Sequence, residues 1–181
     1  ILKNAINAEE FIYDEATRNE IRKELGIENK FMMGNVARFH EQKNHTFLID
    51  VFKNVHDKNN ESVLLLVGQG DLKQEIKDKV SDLGLTDSVI FTGVRSDVPD
   101  LLQVMDVFVF PSLYEGLGIV AVEAQAAGLK CVVADSVPKE AFVTDLISSV
   151  SLKDSSDIWA DRILKETTYD RRNTYQEIYD S

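Results

Sequence analysis

Residues 107–128 read VFVFPSLYEGLGIVAVEAQAAG, and the fold prediction starts from this segment. Its first four residues are apolar and predict a buried strand, with Glu115 in the turn at the strand's carboxyl end. Gly116 and Gly118 lie where a helix begins, and Glu123 lies about two turns into that helix. Two carboxylates around a glycine-opened helix N-terminus predict a site for a ligand that carries both hydroxyl groups and phosphate.

Short apolar segments alternate with amphipathic helices along almost the whole chain. The predicted strands are Phe31–Val36, Val63–Val67, Val89–Thr92, Val107–Phe110, Cys131–Ala134 and, more weakly, Ser148–Ser151. Strands joined by crossover helices imply a parallel sheet with helices on both faces, which is the α/β, doubly wound, Rossmann-like architecture. With about six strands in the common order 3-2-1-4-5-6, the first and fourth strands are neighbours, and a ligand is expected in the crevice between their carboxyl ends.

The helices follow from apolar residues at helical spacing and from start and stop signals. A leading helix is expected over Glu15–Leu25, closed by Gly26, and another from Asp71 to the stop at Gly84. Asp97 before Pro99 is a helix start with a capping candidate. The expected inward faces are Phe47, Leu48, Val51, Phe52 and Val55; Leu72, Ile76, Val80 and Leu83; and, in the polar tail, Ile158, Trp159, Ile163 and Leu164.

The amino-acid composition excludes several kinds of partner and site. The chain has 181 residues, 44% of them hydrophobic and 28% charged, which is typical of a globular domain of ordinary size. Its net charge of −11 repels nucleic acid and anionic membranes, so neither is an expected partner of this segment. The single cysteine, Cys131, excludes an intrachain disulfide and a cysteine zinc site, and we expect it to be a small core residue.

Two loops meet at the expected crevice. Residues 37–44 follow the first strand and residues 112–118 follow the fourth. Arg38 and Lys43 bring two positive charges to the first loop of a strongly acidic chain. A planar guanidinium fork together with a mobile ammonium suits a diphosphate, and a glycine-opened helix start exposes backbone N–H groups that also favour anions.

The carboxylates and histidines near these loops allow more than one interpretation. Glu123 lies in a mostly apolar helix and needs a partner, either a basic side chain such as Lys43 or ligand hydroxyls. Residues 68–70 read GQG, which favours a tight strand-to-helix turn over a phosphate contact, because the full dinucleotide fingerprint is absent. His40 and His45 flank the basic loop, and we assign neither a catalytic role.

Taken in order, these segments resemble a known family. The matching segments are Arg38 with Lys43-Asn44, Val67–Gly70, Phe91–Gly93, Asp106–Ser112 and Glu115–Ala124. Together they resemble the C-terminal, donor-binding domain of the retaining, GT-B-fold glycosyltransferases of family 4, over roughly residues 30–150. Residues 125–141 are similar to the bacterial capsular and exopolysaccharide branch of that family.

The resemblance implies a nucleoside diphosphate sugar as donor substrate, with no cofactor and no metal. Arg38 and Lys43 would hold the diphosphate and neutralise the leaving group, and Glu115 would contact the donor sugar, so these three are the expected catalytic residues. Glu123 would accept hydrogen bonds from the ribose. The expected donor-binding residues are Arg38, Lys43, Gly93, Val94, Arg95, Glu115, Gly116, Leu117, Gly118 and Glu123, with Gly93–Arg95 meeting the base largely through backbone.

The family pattern also implies an organisation. We expect a linker and leading helix over residues 1–26, the nucleotide-sugar-binding domain over 27–153 and a helical tail over 154–181, with the acceptor-binding N-terminal domain absent from this chain. The expected reaction transfers a hexose with retention to a glycan or lipid-linked acceptor in surface polysaccharide synthesis, in the cytoplasm, with the full-length enzyme peripheral at the membrane. This segment alone is expected to be inactive. The alternatives are a domain like that of the nucleotide-sugar 2-epimerases and a non-catalytic regulatory module that binds nucleotide.

Overall fold

A computed structural model describes residues 6–165 together with residues 169 and 171. Its sheet has six parallel strands in the order β3-β2-β1-β4-β5-β6, which confirms the predicted architecture and strand order. The strands are β1 (Phe31–Val36), β2 (Ser62–Val67), β3 (Val89–Gly93), β4 (Val107–Phe110), β5 (Lys130–Ala134) and β6 (Ile147–Val150). All six predicted strands are present, with ends displaced by at most one residue.

Helices cover both faces of this sheet. They are α1 (Glu15–Glu24), α2 (His45–Lys58), α3 (Lys73–Asp82), α4 (Val98–Val104), α5 (Ile119–Ala126) and α6 (Ser156–Lys165). α4 and α5 share one core with one face of the sheet, and α1 packs against α4. α2, α3 and α6 share the second core with the opposite face. Two interior strands, β2 and β4, are therefore buried along their whole length, as expected for a parallel sheet between helix layers.

Four helix predictions were wrong in detail, and each difference has a local cause. α5 begins at Ile119 because Gly118 before it has a φ of +76°, so Glu123 lies little more than one turn into the helix. α3 begins at Lys73, after a turn that contains Asp71. The Asp97 carboxylate binds the Arg95 guanidinium and does not cap α4. Ile158 is 49% exposed, because α6 turns Trp159 and its neighbours inward.

The other helix predictions are confirmed, including the inward residues of α2 and the stop at Gly84, where φ is +69°. Cys131 is a buried free thiol on β5, as predicted, and burial raises its pKa far above the ordinary range. Of the predicted helical tail, the part beyond Lys165 lies outside the described residues except for Tyr169 and Arg171. No helix in the described part of the chain is both long and apolar enough to cross a membrane.

Three arginines converge on the C-terminus of α4, at the edge of the sheet opposite the expected site. Arg18 donates to the carbonyl groups of residues 103, 104 and 105 and pairs with Asp106 at 2.5 Å. Arg22 donates to the carbonyl groups of residues 27, 30 and 104 and also approaches Asp106. Arg171 donates to the carbonyl groups of residues 102, 103, 105 and 127. The guanidinium groups donate to carbonyl groups that have no partner within the helix, and their positive charge interacts favourably with the negative end of the helix dipole.

Replacing Arg22 by Met should lower the free energy of unfolding by about 3 kcal/mol, because Arg22 is a buried charge whose hydrogen bonds span three segments. Urea unfolding followed by circular dichroism measures the change. Arg162→Met is the matched control, since Arg162 is exposed on α6, and it should stay within about 0.5 kcal/mol of the wild type. Equal unfolding midpoints for the two variants would contradict this account.

Candidate functional site

The loops after β1 and β4 are joined by direct hydrogen bonds at the carboxyl edge of the sheet. The backbone N–H of Leu113 donates to the Gln42 carbonyl at 2.8 Å, and the Gln42 side-chain amide donates to the Tyr114 carbonyl at 2.8 Å. The Asn44 amide donates to the Pro111 carbonyl at 3.0 Å. The two loops predicted to meet therefore do so as one tied unit.

Lys43 and Glu115 form an ion pair inside this unit. Lys43 Nζ lies 2.5 Å from Glu115 Oε1, and the two side chains are 20% and 7% exposed. The ammonium also lies 5.1 Å from the centre of the Phe110 ring, within range of a cation–π contact. Two residues that the sequence assigned to separate parts of the ligand, the diphosphate and the sugar, thus contact each other directly.

Arg38 lies on the same loop, directly after Ala37, and its side chain is exposed. Within the part of the chain that the structure describes, no acidic side chain pairs with its guanidinium. Its neighbour Phe39 is buried, and the Phe39 backbone N–H donates to the Gln69 carbonyl at 3.0 Å. The chain around Arg38 is therefore fixed, while the guanidinium itself points to solvent at the mouth of the crevice.

Glu123 lies on α5 with its side chain half-buried. Burial raises the pKa of its carboxyl group, because the charged form loses solvation. Of the two partners that the sequence allowed, Lys43 is excluded here because it pairs with Glu115. Nothing else among the described side chains bonds to the Glu123 carboxylate, so ligand hydroxyls remain as its predicted partner.

Residues 116–118 form the turn that leads into α5. Gly116 is exposed and a side chain there would meet no atom within 4 Å, so its backbone is open to a ligand. Gly118 occupies the cap position in a left-handed conformation, and no side chain caps the helix. The first N–H groups of α5 therefore face the crevice side of the sheet without a capping side chain, as expected at an anion-binding helix start.

The loops after β2 and β3 form the far side of the same edge. A side chain on Gly68 would come within 2.0 Å of the Ala37 carbonyl oxygen, so glycine is required by close chain approach. This supports the tight-turn interpretation of residues 68–70. The Gly68 N–H donates to the Gly93 carbonyl, Val94 is exposed, and Arg95 pairs with Asp97 at 2.5 Å.

These loops meet at the topological switch point of a doubly wound sheet, between β1 and β4. Residues 17–165 match the family model described as Glycosyl transferases group 1. The chain belongs to this family.

Two curated relatives and one solved structure show how this glycosyltransferase chain compares. It is 36% identical over 167 residues to the putative glycosyltransferase EpsF of Bacillus subtilis, covering 91% of this chain and 44% of that protein. It is 32% identical over 139 residues to the Escherichia coli UDP-Gal:alpha-D-GlcNAc-diphosphoundecaprenol alpha-1,3-galactosyltransferase, covering 75% and 36%. The crystal structure of Anabaena Alr3699/HepE in complex with UDP superposes with a TM-score of 0.84 at 22% identity, over 97% of this chain and 51% of that one.

The glycosyltransferase chain thus spans less than half the length of the curated relatives it matches here. The superposed structure shares its fold, with helices on both faces of a parallel sheet as in one half of a GT-B enzyme. Within residues 6–165, 169 and 171, no group of three or more His, Cys, Asp or Glu side chains is arranged to hold a metal ion.

Sequence reasoning missed the residues that position the basic loop of the glycosyltransferase. Gln42 and Asn44 join this loop to the β4 loop, and neither has a pattern that distinguishes it from an ordinary polar loop residue. His45 is the first residue of α2 and is 2% exposed, with its ring stacked on Phe39 at 4.2 Å between centroids. The exposed His40 accepts a hydrogen bond from the Gln42 N–H through Nδ1 and so shapes the turn before Lys43.

Burial, reinforced by the positive charge of Lys43, lowers the pKa of His45 from 6.5 to about 4. The folded chain therefore keeps His45 neutral where the unfolded chain binds a proton. The contribution of neutral His45 to the free energy of unfolding is complete above pH 6.5 and is lost as the pH falls toward 4.

Between pH 7 and pH 4.5, the wild type should lose about 2–3 kcal/mol more unfolding free energy than His45→Phe, which keeps the ring stack but cannot titrate. Urea unfolding of both proteins at the two pH values measures the difference. His40→Phe changes an exposed ring and should follow the wild type. An identical pH dependence for His45→Phe and the wild type would show that His45 does not carry this effect.

Proposed function

We propose that this domain binds a nucleoside diphosphate hexose and that the enzyme containing it transfers the hexose, with retention, to a glycan or lipid-linked acceptor in surface polysaccharide synthesis. The observation that carries the proposal is the tied pair of loops at the carboxyl ends of β1 and β4. There Lys43 pairs with Glu115, the exposed Arg38 lies on the same loop as Lys43, and α5 begins shortly after Glu115. A ligand of a doubly wound sheet binds at this point.

The diphosphate is the part of the donor that this edge of the sheet suits best. Arg38 has no acidic partner among the described residues, and Lys43 brings a second cation to the same loop. The backbone N–H groups around Gly116 and Gly118 add donors at the positive end of α5. Preorganised donors stabilise the charge that develops on a departing nucleoside diphosphate as the glycosidic bond breaks.

The two glutamates suit the hydroxyl-bearing parts of the donor. Glu115 lies in the loop beside Lys43, so its carboxylate is close to a sugar attached to the distal phosphate. Glu123 is half-buried without a described side-chain partner, and burial raises the pKa of its carboxyl group. Hydrogen bonds from ribose hydroxyls would favour the charged carboxylate.

The base is expected at the end of β3. Gly93 has a φ of +76° and leads into the exposed Val94. Arg95 is already bound to Asp97 through two hydrogen bonds, so its guanidinium is engaged away from a ligand. Base recognition in this segment therefore uses backbone groups of residues 93–95.

One relative and one solved structure support a nucleoside diphosphate sugar as the substrate class. The name of the Escherichia coli relative includes UDP-Gal as donor and a diphosphoundecaprenol-linked acceptor, and the Anabaena structure contains UDP. We propose that the acceptor is bound by the part of the enzyme that corresponds to the unmatched region of the relatives. No metal or cofactor takes part in the proposed reaction. The proposed enzyme works in the cytoplasm, at the membrane surface.

Donor binding is measured by isothermal titration calorimetry on the 181-residue chain with UDP-glucose, UDP-galactose and GDP-mannose. Lys43→Met and Arg38→Met should each weaken binding about tenfold, the loss expected for one phosphate contact. Lys53→Met is the matched control, because Lys53 pairs with Asp57 on the outer surface of α2, and it should bind like the wild type. Failure of all three donors, and of UDP and GDP, to bind at millimolar concentration would overturn the proposal.

In the enzyme that contains this domain, Glu115→Gln should reduce transfer at least about 100-fold, because an amide does not replace the carboxylate beside the reacting sugar. Glu123→Gln should mainly raise KM for the donor. Proton NMR of the initial product gives its anomeric configuration, which should equal that of the donor. An inverted product would contradict the retaining mechanism while leaving donor binding intact.

A further inference from the structure

The Lys43–Glu115 ion pair occupies the place where two parts of the proposed donor meet. The paired atoms are 2.5 Å apart, and the Glu115 side chain is 7% exposed. Breaking a pair this far from solvent is unfavourable unless both partners find new ones, since a carboxylate left alone there loses both solvation and its hydrogen bond.

The loops around the pair are held together by three hydrogen bonds of Gln42 and Asn44, at 2.8, 2.8 and 3.0 Å. A change of partners that moves only side chains would leave these hydrogen bonds intact. Lys43 has a long flexible stem and is the more exposed partner, so its ammonium is better able to move than the Glu115 carboxylate.

We propose, on the basis of the proposed function, that Glu115 competes with the diphosphate for Lys43. As a result, the pocket binds the intact nucleotide sugar in preference to the free nucleoside diphosphate. With the intact donor, Lys43 gains phosphate oxygens and Glu115 gains sugar hydroxyls, so both partners are replaced. With the nucleoside diphosphate alone, Glu115 receives no donor and lies beside new negative charge.

This competition gives Glu115 a role after transfer as well as before it. Once the sugar has left, the Glu115 carboxylate has no hydrogen-bond donor and competes again for Lys43, so the remaining nucleoside diphosphate is held less tightly. The same residue that positions the sugar thus promotes release of the spent nucleotide. Arg38 has no described acidic partner, so its contribution is equal for the two ligands.

The test compares Kd for UDP and UDP-glucose by calorimetry, with GDP and GDP-mannose as the second ligand pair. Glu115→Gln should bind the nucleoside diphosphate about fivefold more tightly than the wild type does, the size expected when one partly buried charge pair is released. The ratio of Kd for UDP to Kd for UDP-glucose should fall. In the Lys43→Met background, adding Glu115→Gln should produce no such gain.

Glu41→Gln is the control for net charge, because it removes one carboxylate from the same loop but leaves Lys43 paired with Glu115. It should not tighten UDP binding. Equal tightening by Glu41→Gln, or no tightening by Glu115→Gln, would overturn the competition. Absence of wild-type binding to either ligand pair would instead refute the proposed function.

A measurement on the wild type keeps the proposal testable if Glu115→Gln does not fold. Saturating UDP should shift the side-chain carboxyl ¹³C signal of Glu115, although UDP carries no sugar to contact it, because Lys43 leaves the carboxylate. An unchanged Glu115 signal at saturating UDP would show that the ion pair persists and that no competition takes place.

Discussion

The pairing of β1 with β4 is the constraint on which the site depends, and it is short. Its register pairs are Met33 with Val107 and Gly34 with Phe108, whereas the neighbouring pairs run over four residues or more. Side chains complete the junction at both ends. Asp106 accepts from the Met32 N–H at 2.7 Å at one end, and the Asn35 amide donates to the Val109 carbonyl at 2.8 Å near the other. The two strands are thus held side by side where their loops must meet.

Electrostatics at this junction works against the charge of the whole molecule. The chain carries a net charge of −11, yet two cations lie on the loop after β1. One of them, Lys43, is neutralised by Glu115, so Arg38 is the cation of these loops that pairs with no carboxylate among the described residues. An anionic ligand is therefore attracted by a local field of short range. Screening by salt should weaken that attraction strongly, because Arg38 is exposed.

Hydrophobic periodicity was enough to predict the strands, because burial between two helix layers demands continuous apolar strands. The strand order and the position of the crevice followed from the common arrangement of doubly wound sheets. The spacing of Glu115 and Glu123 placed both carboxylates near it. Periodicity does not encode which polar side chains pair, and so the Lys43–Glu115 contact and the neutral, buried His45 were not predicted. It also misplaced Ile158, since an apolar residue at the margin of a helical stripe is free to remain in solvent.

The contacts of Arg171 limit how far the C-terminal boundary of an expressed fragment can be shortened. The family match ends at residue 165, but the Arg171 guanidinium binds carbonyl groups at the ends of both α4 and α5. Tyr169 accepts a hydrogen bond from the Lys130 N–H at the start of β5. An expression boundary taken from the family match would remove both residues and leave those backbone groups without these partners. Fragments for crystallography or labelling should therefore extend beyond Arg171.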